Sequence, residues 1–184
     1  QAAVDLTDVL TADITAPTNK AGYPSVTSLA GTTLDVELQL DEAATMHWVM
    51  IPAPSTAPNC AQIKAGQDSS GAAVSSPALS GSEPVTAADT TATESFSGLS
   101  EQTTYDFYVI AEDPSGNCQS AATKISATTT DETAPTYDTN YPKLQNPTGT
   151  TLDMVFNIDE AGECFGVIVP RGDTAPSVQQ VKDG

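Results

Sequence analysis

Apart from carboxylates, few residues in this chain could do chemistry. Its single histidine, His47, sits beside Trp48 in an apolar stretch, and no HExxH, GxSxG, P-loop or CxxC spacing accompanies it. Acidic residues number 24 against 6 basic ones, a net charge of −18. In so acidic a chain two carboxylates can always be paired on paper, but no spacing singles out an acid and a base, so the reading is that this is not an enzyme and carries no cofactor unless it is Ca²⁺. A protein that grips phosphates needs cations to displace counterions, which excludes nucleic acid and anionic membrane as partners and favours cations or basic surfaces. The tripeptide Arg171-Gly172-Asp173 offers either an adhesion motif or a turn supplied with Gly and Asp, and the turn is the cheaper explanation.

The elements that must position these residues read as strands. A hydrophobic content of 39% is too high for a disordered acidic tail, and the apolar residues alternate rather than forming one block. No apolar run approaches the roughly 20 residues that span a bilayer, so no membrane insertion is expected in this segment. The N-terminus also lacks the basic and apolar regions of a signal peptide, pointing to a removed signal or to a start inside a longer chain.

A repeat organises the whole chain. DITAPT from Asp13, then YP, GTTLD, DEA, TAP and QIKAG, recurs from Asp131 as DETAPT, YP, GTTLD, DEA, TAP and QVKDG, an offset of 118 residues that runs ungapped through Gly66 and Gly184. About four in ten aligned positions are identical, the mark of a repeat architecture. The offset divides the chain into 1–12, the last strand of a preceding module; 13–130, one complete module; and 131–184, the first half of the next.

Within the complete module Leu34, Val36, Leu38 and Leu40 alternate with polar residues, as do Leu152, Met154, Phe156 and Ile158 in the copy. Met46–Ile51 is apolar on both faces and therefore central, with Trp48 as core anchor and Gly166 in its place in the copy. A short helix follows over Thr56–Gly66, with Thr56 as cap and Cys60 and Ile63 on its inner face. Residues 67–90 are the least readable and hold at most weak edge strands. Later strands cover Thr91–Ser97, Thr104–Glu112 and Gln119–Thr129, the last two joined by turn chemistry at Asp113–Asn117. Short strands with such turns are the profile of an all-β, antiparallel Greek-key β-sandwich.

The stretch GLSEQTTYDFYVIAEDPSGNCQS resembles the corner, strand and following loop of fibronectin type III modules, and the whole resembles the fibronectin type III or immunoglobulin-like repeats found in tandem in large secreted and surface proteins. That resemblance implies that Tyr105 is a corner tyrosine whose hydroxyl bonds nearby backbone. It also implies that the entering linker, the DEA turn and the loop after Glu112 share one end of the module. Asp13, Asp41, Glu42 and Asp113 would then gather there, as would Asp131, Glu132, Asp159 and Glu160 at the next junction. Oxygen-rich clusters of this kind suit Ca²⁺, the alternative being a solvated acidic rim.

In a secreted chain three cysteines imply one disulfide and one residue whose partner lies elsewhere. Cys60 and Cys118 share the complete module and are the favoured pair, unless Cys60 merely replaces a core valine, as Val178 does in the copy. Cys164 would pair beyond Gly184 or with another chain. Thr128, Thr129 and Thr130 form a linker run that would accept O-linked sugar or simply end a strand. The expectation is a structural or adhesive repeat of an extracellular surface or filament protein, a spacer and lateral contact surface whose partners are neighbouring modules, other copies in a surface assembly, and glycans. The alternative is a carbohydrate-binding or accessory module of a secreted hydrolase.

Overall fold

The computed structural model describes residues 11–76 and 79–184, so the strand expected over 1–12 lies almost wholly outside the described residues. The chain divides into two compact units, Gln1–Glu132 and Thr133–Gly184, two residues past the boundary read from the repeat.

In the first unit the strands are β1 (Ser25–Thr27), β2 (Thr33–Leu38), β3 (Ala44–Pro52), β4 (Leu79–Val85), β5 (Ala92–Ser97), β6 (Thr104–Glu112) and β7 (Thr123–Thr128), with helix α1 at Cys60–Lys64. They form a three-stranded sheet β1-β2-β5 and a four-stranded sheet β4-β3-β6-β7, antiparallel throughout. The fold is all-β, as the alternation predicts.

Alternation along β2 sends Leu34, Val36 and Leu38 into a core that also takes Met46, Trp48 and Met50 from β3, Phe96 from β5, and Tyr105, Phe107 and Val109 from β6. The Trp48 ring meets Phe96 edge-on at 4.8 Å between centroids and stacks on Phe107 at 5.8 Å. Gly81 lies opposite Trp48 in the ladder, and a Cβ there would sit 2.6 Å from the indole, so only glycine lets β4 run past the ring.

β3 and β6 are apolar on both faces because a second small core, of Val49, Ile63, Tyr108 and Ile110, lies on the outer side of the four-stranded sheet beneath α1. This helix is shorter than expected and is capped by Asn59 rather than Thr56. Asn59 Oδ1 accepts from the Gln62 N–H at 3.0 Å and Gln62 Oε1 accepts from the Asn59 N–H at 2.9 Å, a capping box that starts the helix after Pro58. β1 was not read from the sequence, and β4 is an edge strand within residues 67–90, where only weak edge strands are expected. β1 is only three residues long, and β4 carries Gly and Pro in a Ser-rich run that shows weak strand preference.

The second unit contains β8 (Lys143–Gln145), β9 (Asp153–Val155) and α2 (Val178–Asp183). Its register reproduces the first unit at the offset of the repeat. Lys143 pairs with Val155 as Ser25 pairs with Glu37, and the bridge Tyr137–Ile158 matches Asn19–Leu40. α2 repeats the capping box with Ser177 and Gln180. Where Gly166 replaces Trp48, Met154 Sδ and Phe156 fill the space, a Cβ on Gly166 meeting the sulfur at 2.6 Å; Met154 and Phe156 stand for Val36 and Leu38.

The copy departs from expectation at residues 162–170, which form no strand although they correspond to β3. β3 is hydrogen-bonded to β4 on one side and β6 on the other, and no counterpart of either lies among residues 133–184. Phe165, Val167, Ile168 and Val169 are exposed.

Candidate functional site

Of the acidic residues expected to gather at the start of the first module, three do so. Carboxylate oxygens of Asp13, Glu42 and Asp113 lie within 4.8 Å of one another. Asp13 comes from the entering segment, Glu42 from the turn between β2 and β3, and Asp113 from the turn after β6. Asp113 is 5% exposed and held by its own turn: Oδ1 accepts from the Asn117 N–H at 2.8 Å and Oδ2 from Asn117 Nδ2 at 2.7 Å. Asn117 Nδ2 also donates to the Asp13 carbonyl at 3.1 Å, which ties the entering segment to the turn.

Glu42 and Asp113 respond to these surroundings in opposite directions. Desolvation works to raise Asp113, but hydrogen bonds from Asn117 and from turn N–H groups outweigh it and leave the carboxyl below its usual range. Glu42 is raised, first by desolvation and then by repulsion from Asp13, Asp113 and Asp41. A cation held between these oxygens would relieve that repulsion.

Asp41 has a different task. Its Oδ1 accepts from the Thr18 N–H at 2.7 Å and its Oδ2 from Thr18 Oγ1 at 2.5 Å, so both oxygens latch the entering segment to the end of β2. These bonds, the hydroxyl first, hold its carboxyl below the usual range. Asp159 does the same for Thr136 in the second unit, at 2.8 and 2.6 Å. The DEA turn thus contributes its Asp as a latch and only its Glu as a candidate ligand. Asp131 and Glu132 end the first unit: Asp131 Oδ2 accepts from Gln102 Nε2 at 2.8 Å, and Glu132 stands beside Thr130 and Glu101. Glu160, in the second unit, is half-buried.

Cys60 and Cys118, 58 residues apart, are bonded, which links α1 to the turn after β6; Cys164 is a free thiol in the second unit. His47 lies half-buried on the outer face of β3, its imidazole pushed down by burial and then by Lys64. Arg171, Gly172 and Asp173 form an exposed turn with Gly172 at a φ of 101°.

The threonine run differs from the expectation of an open linker. Thr129 is 2% exposed, its hydroxyl donating to the Ser100 carbonyl at 2.7 Å and accepting from the Thr103 N–H at 2.9 Å. It is a buried clasp between the end of β7 and the corner before β6 and cannot accept sugar in the folded state. Thr128 and Thr130 are exposed, and Thr128 shares a 2.8 Å hydrogen bond with Thr104.

Sequence reasoning missed the most connected acid in the unit. Asp106, 1% exposed on the outer face of β6, accepts from Ser55 N at 2.9 Å, Ser55 Oγ at 2.7 Å and Ser126 Oγ at 2.6 Å, and pairs with Lys124 Nζ at 2.8 Å. Desolvation alone would raise its pKa; the Lys124, Ser126 and Ser55 hydrogen bonds overcome that and lower it to about 2. The only signal in the sequence is a charged residue interrupting the apolar run of β6.

Compared with known proteins, the chain matches no family model, no curated protein and no solved structure. Among the described residues, no helix is long and apolar enough to cross a membrane.

Proposed function

We propose that this chain is a run of β-sandwich modules of the fibronectin type III or immunoglobulin-like kind, serving as spacer and lateral contact surface in an extracellular surface or filament assembly. The observation that carries the reading is the repeat at the level of hydrogen bonds. Two copies 118 residues apart carry the same strand register, the same Thr–Asp latch and the same helix cap, as expected of a unit made to be concatenated.

The sandwich reading is supported by two antiparallel sheets, β1-β2-β5 and β4-β3-β6-β7, that share one core. Support for the fibronectin-like kind comes from the corner before β6, where the Ser100 N–H donates to the Tyr105 hydroxyl at 3.0 Å. The disulfide supports an oxidising, extracellular setting.

The carbohydrate-binding alternative needs an exposed aromatic platform, whereas Trp48, Phe96, Tyr105, Phe107 and Tyr108 of the first unit are buried. For calcium, the carboxylates found together within one unit are those of Asp13, Glu42 and Asp113, with solvated surface as the alternative. Antibody raised against residues 13–130 should label the surface or filaments of intact source cells, and purified protein should bind no glycan on an array. Labelling confined to the cell interior would overturn the proposal, and specific sugar binding would favour the carbohydrate-binding alternative.

A further inference from the structure

The outer face of the four-stranded sheet brings two sulfurs and a carboxylate to one spot, at the foot of the turn that carries Asp113. Glu112, which ends β6, faces Cys118 in an isolated antiparallel bridge across the turn, so their side chains leave the same face. Cys60 opens α1, which packs against that face, and Lys64 one turn later is ion-paired with Glu112. Both Sγ atoms and a Glu112 oxygen lie within 4.8 Å of one another, each residue partly exposed. A groove of about 620 Å³ opens over them. Starting the helix does not demand sulfur here, since Val178 takes the place of Cys60 in the copy and α2 forms with the same cap.

We propose that when the Cys60–Cys118 disulfide is opened, the two thiolates and the Glu112 carboxylate bind a thiophilic divalent cation of the Zn²⁺ class. Disulfide and metal are then alternative cross-links between α1 and the turn after β6. Tetrahedral Zn²⁺ bound to sulfur and carboxylate oxygen requires ligand atoms about 3.6–3.8 Å apart, a spacing that small side-chain rotations supply from the observed positions. Three protein ligands leave the fourth position to water from the open groove. Sulfur donors select against Ca²⁺, which separates this site from the acidic cluster.

The redox step balances simply. A thiol or phosphine reductant delivers two electrons, two protons are taken up, and the S–S bond becomes two thiols. The cation then expels both thiol protons to solvent and draws Glu112 away from Lys64. In reverse, a small-molecule disulfide oxidant accepts the two electrons by thiol–disulfide exchange and leaves as two thiolates, while S–S reforms and the ion is released.

The test uses the full chain carrying Cys164→Ser, reduced with a phosphine, freed of reductant without air, and titrated with Co²⁺ as a spectroscopic stand-in. The expected result is thiolate-to-cobalt charge-transfer absorption saturating at one ion per chain, displaced by Zn²⁺ and absent from unreduced protein. Cys118→Ser should abolish it. Glu112→Gln should weaken affinity by about tenfold or more, since even groups that only support metal ligands are worth that much. Zn²⁺ should also raise the melting temperature of the reduced protein, or refold it if reduction unfolds it, and Glu112→Gln should blunt that rise. No charge-transfer band, an unchanged cobalt affinity in Glu112→Gln, or melting indifferent to Zn²⁺ would each overturn the proposal.

Discussion

Replacing Asp106 by Asn tests the polar packing of the outer face. The carboxylate gathers Ser55 from the loop after β3, Ser126 and Lys124 from β7, all at β6. Its pKa falls from 3.8 to about 2 on folding, which corresponds to about 2.4 kcal/mol of stability at neutral pH. Asparagine keeps the shape but turns an amide N–H₂ toward groups that are themselves donors and leaves Lys124 without a counter-charge. Asp106→Asn should therefore cost about 2–4 kcal/mol at pH 7, about 10 °C in melting temperature for a domain of this size. Because the folded pKa is depressed, the stabilisation is complete above the unfolded value of 3.8 and disappears as pH falls through about 2. Wild type and variant should thus converge at strongly acid pH. Urea unfolding followed by the fluorescence of Trp48, the single tryptophan, measures both terms. A cost below about 0.5 kcal/mol, the scale of ordinary surface changes, or a difference that does not shrink between pH 6 and pH 2, would refute the reasoning.

Leu38, fully buried at the end of β2, should cost about 2–5 kcal/mol when cut to Ala, measured by the same unfolding assay. Reducing the Cys60–Cys118 bond should remove about 4 kcal/mol by freeing a loop of 58 residues in the unfolded chain, seen as a lower urea midpoint in a phosphine reductant. Glu94 on edge strand β5 is raised by desolvation and then by Glu83. Its charged form therefore opposes folding at neutral pH, so Glu94→Gln should melt higher than wild type at pH 7, with the gain fading as pH falls and Glu94 of the wild type protonates. If Asp13, Glu42 and Asp113 hold Ca²⁺, the ion should raise the melting temperature and Glu42→Gln should reduce that rise; no change on adding chelator would make them solvated surface.

Local pattern determined which segments became β2, β3, β5 and β6, because a period of two needs only neighbours in sequence to display a buried face. The repeat was likewise complete in the sequence, and it makes β8 and β9 copies of β1 and β2. Partners were decided elsewhere. Nothing local distinguishes Asp41, whose oxygens are taken by Thr18, from Glu42, whose carboxylate joins a cluster, because the donor lies 23 residues away. Thr129 and Asp106 are of the same kind: one is a clasp and the other a hub through contacts 18 to 51 residues distant. The copy of β3 makes the point in reverse. Residues 162–170 keep the apolar pattern of a central strand, yet a strand is a set of hydrogen bonds to neighbours, and without counterparts of β4 and β6 the pattern alone does not form one.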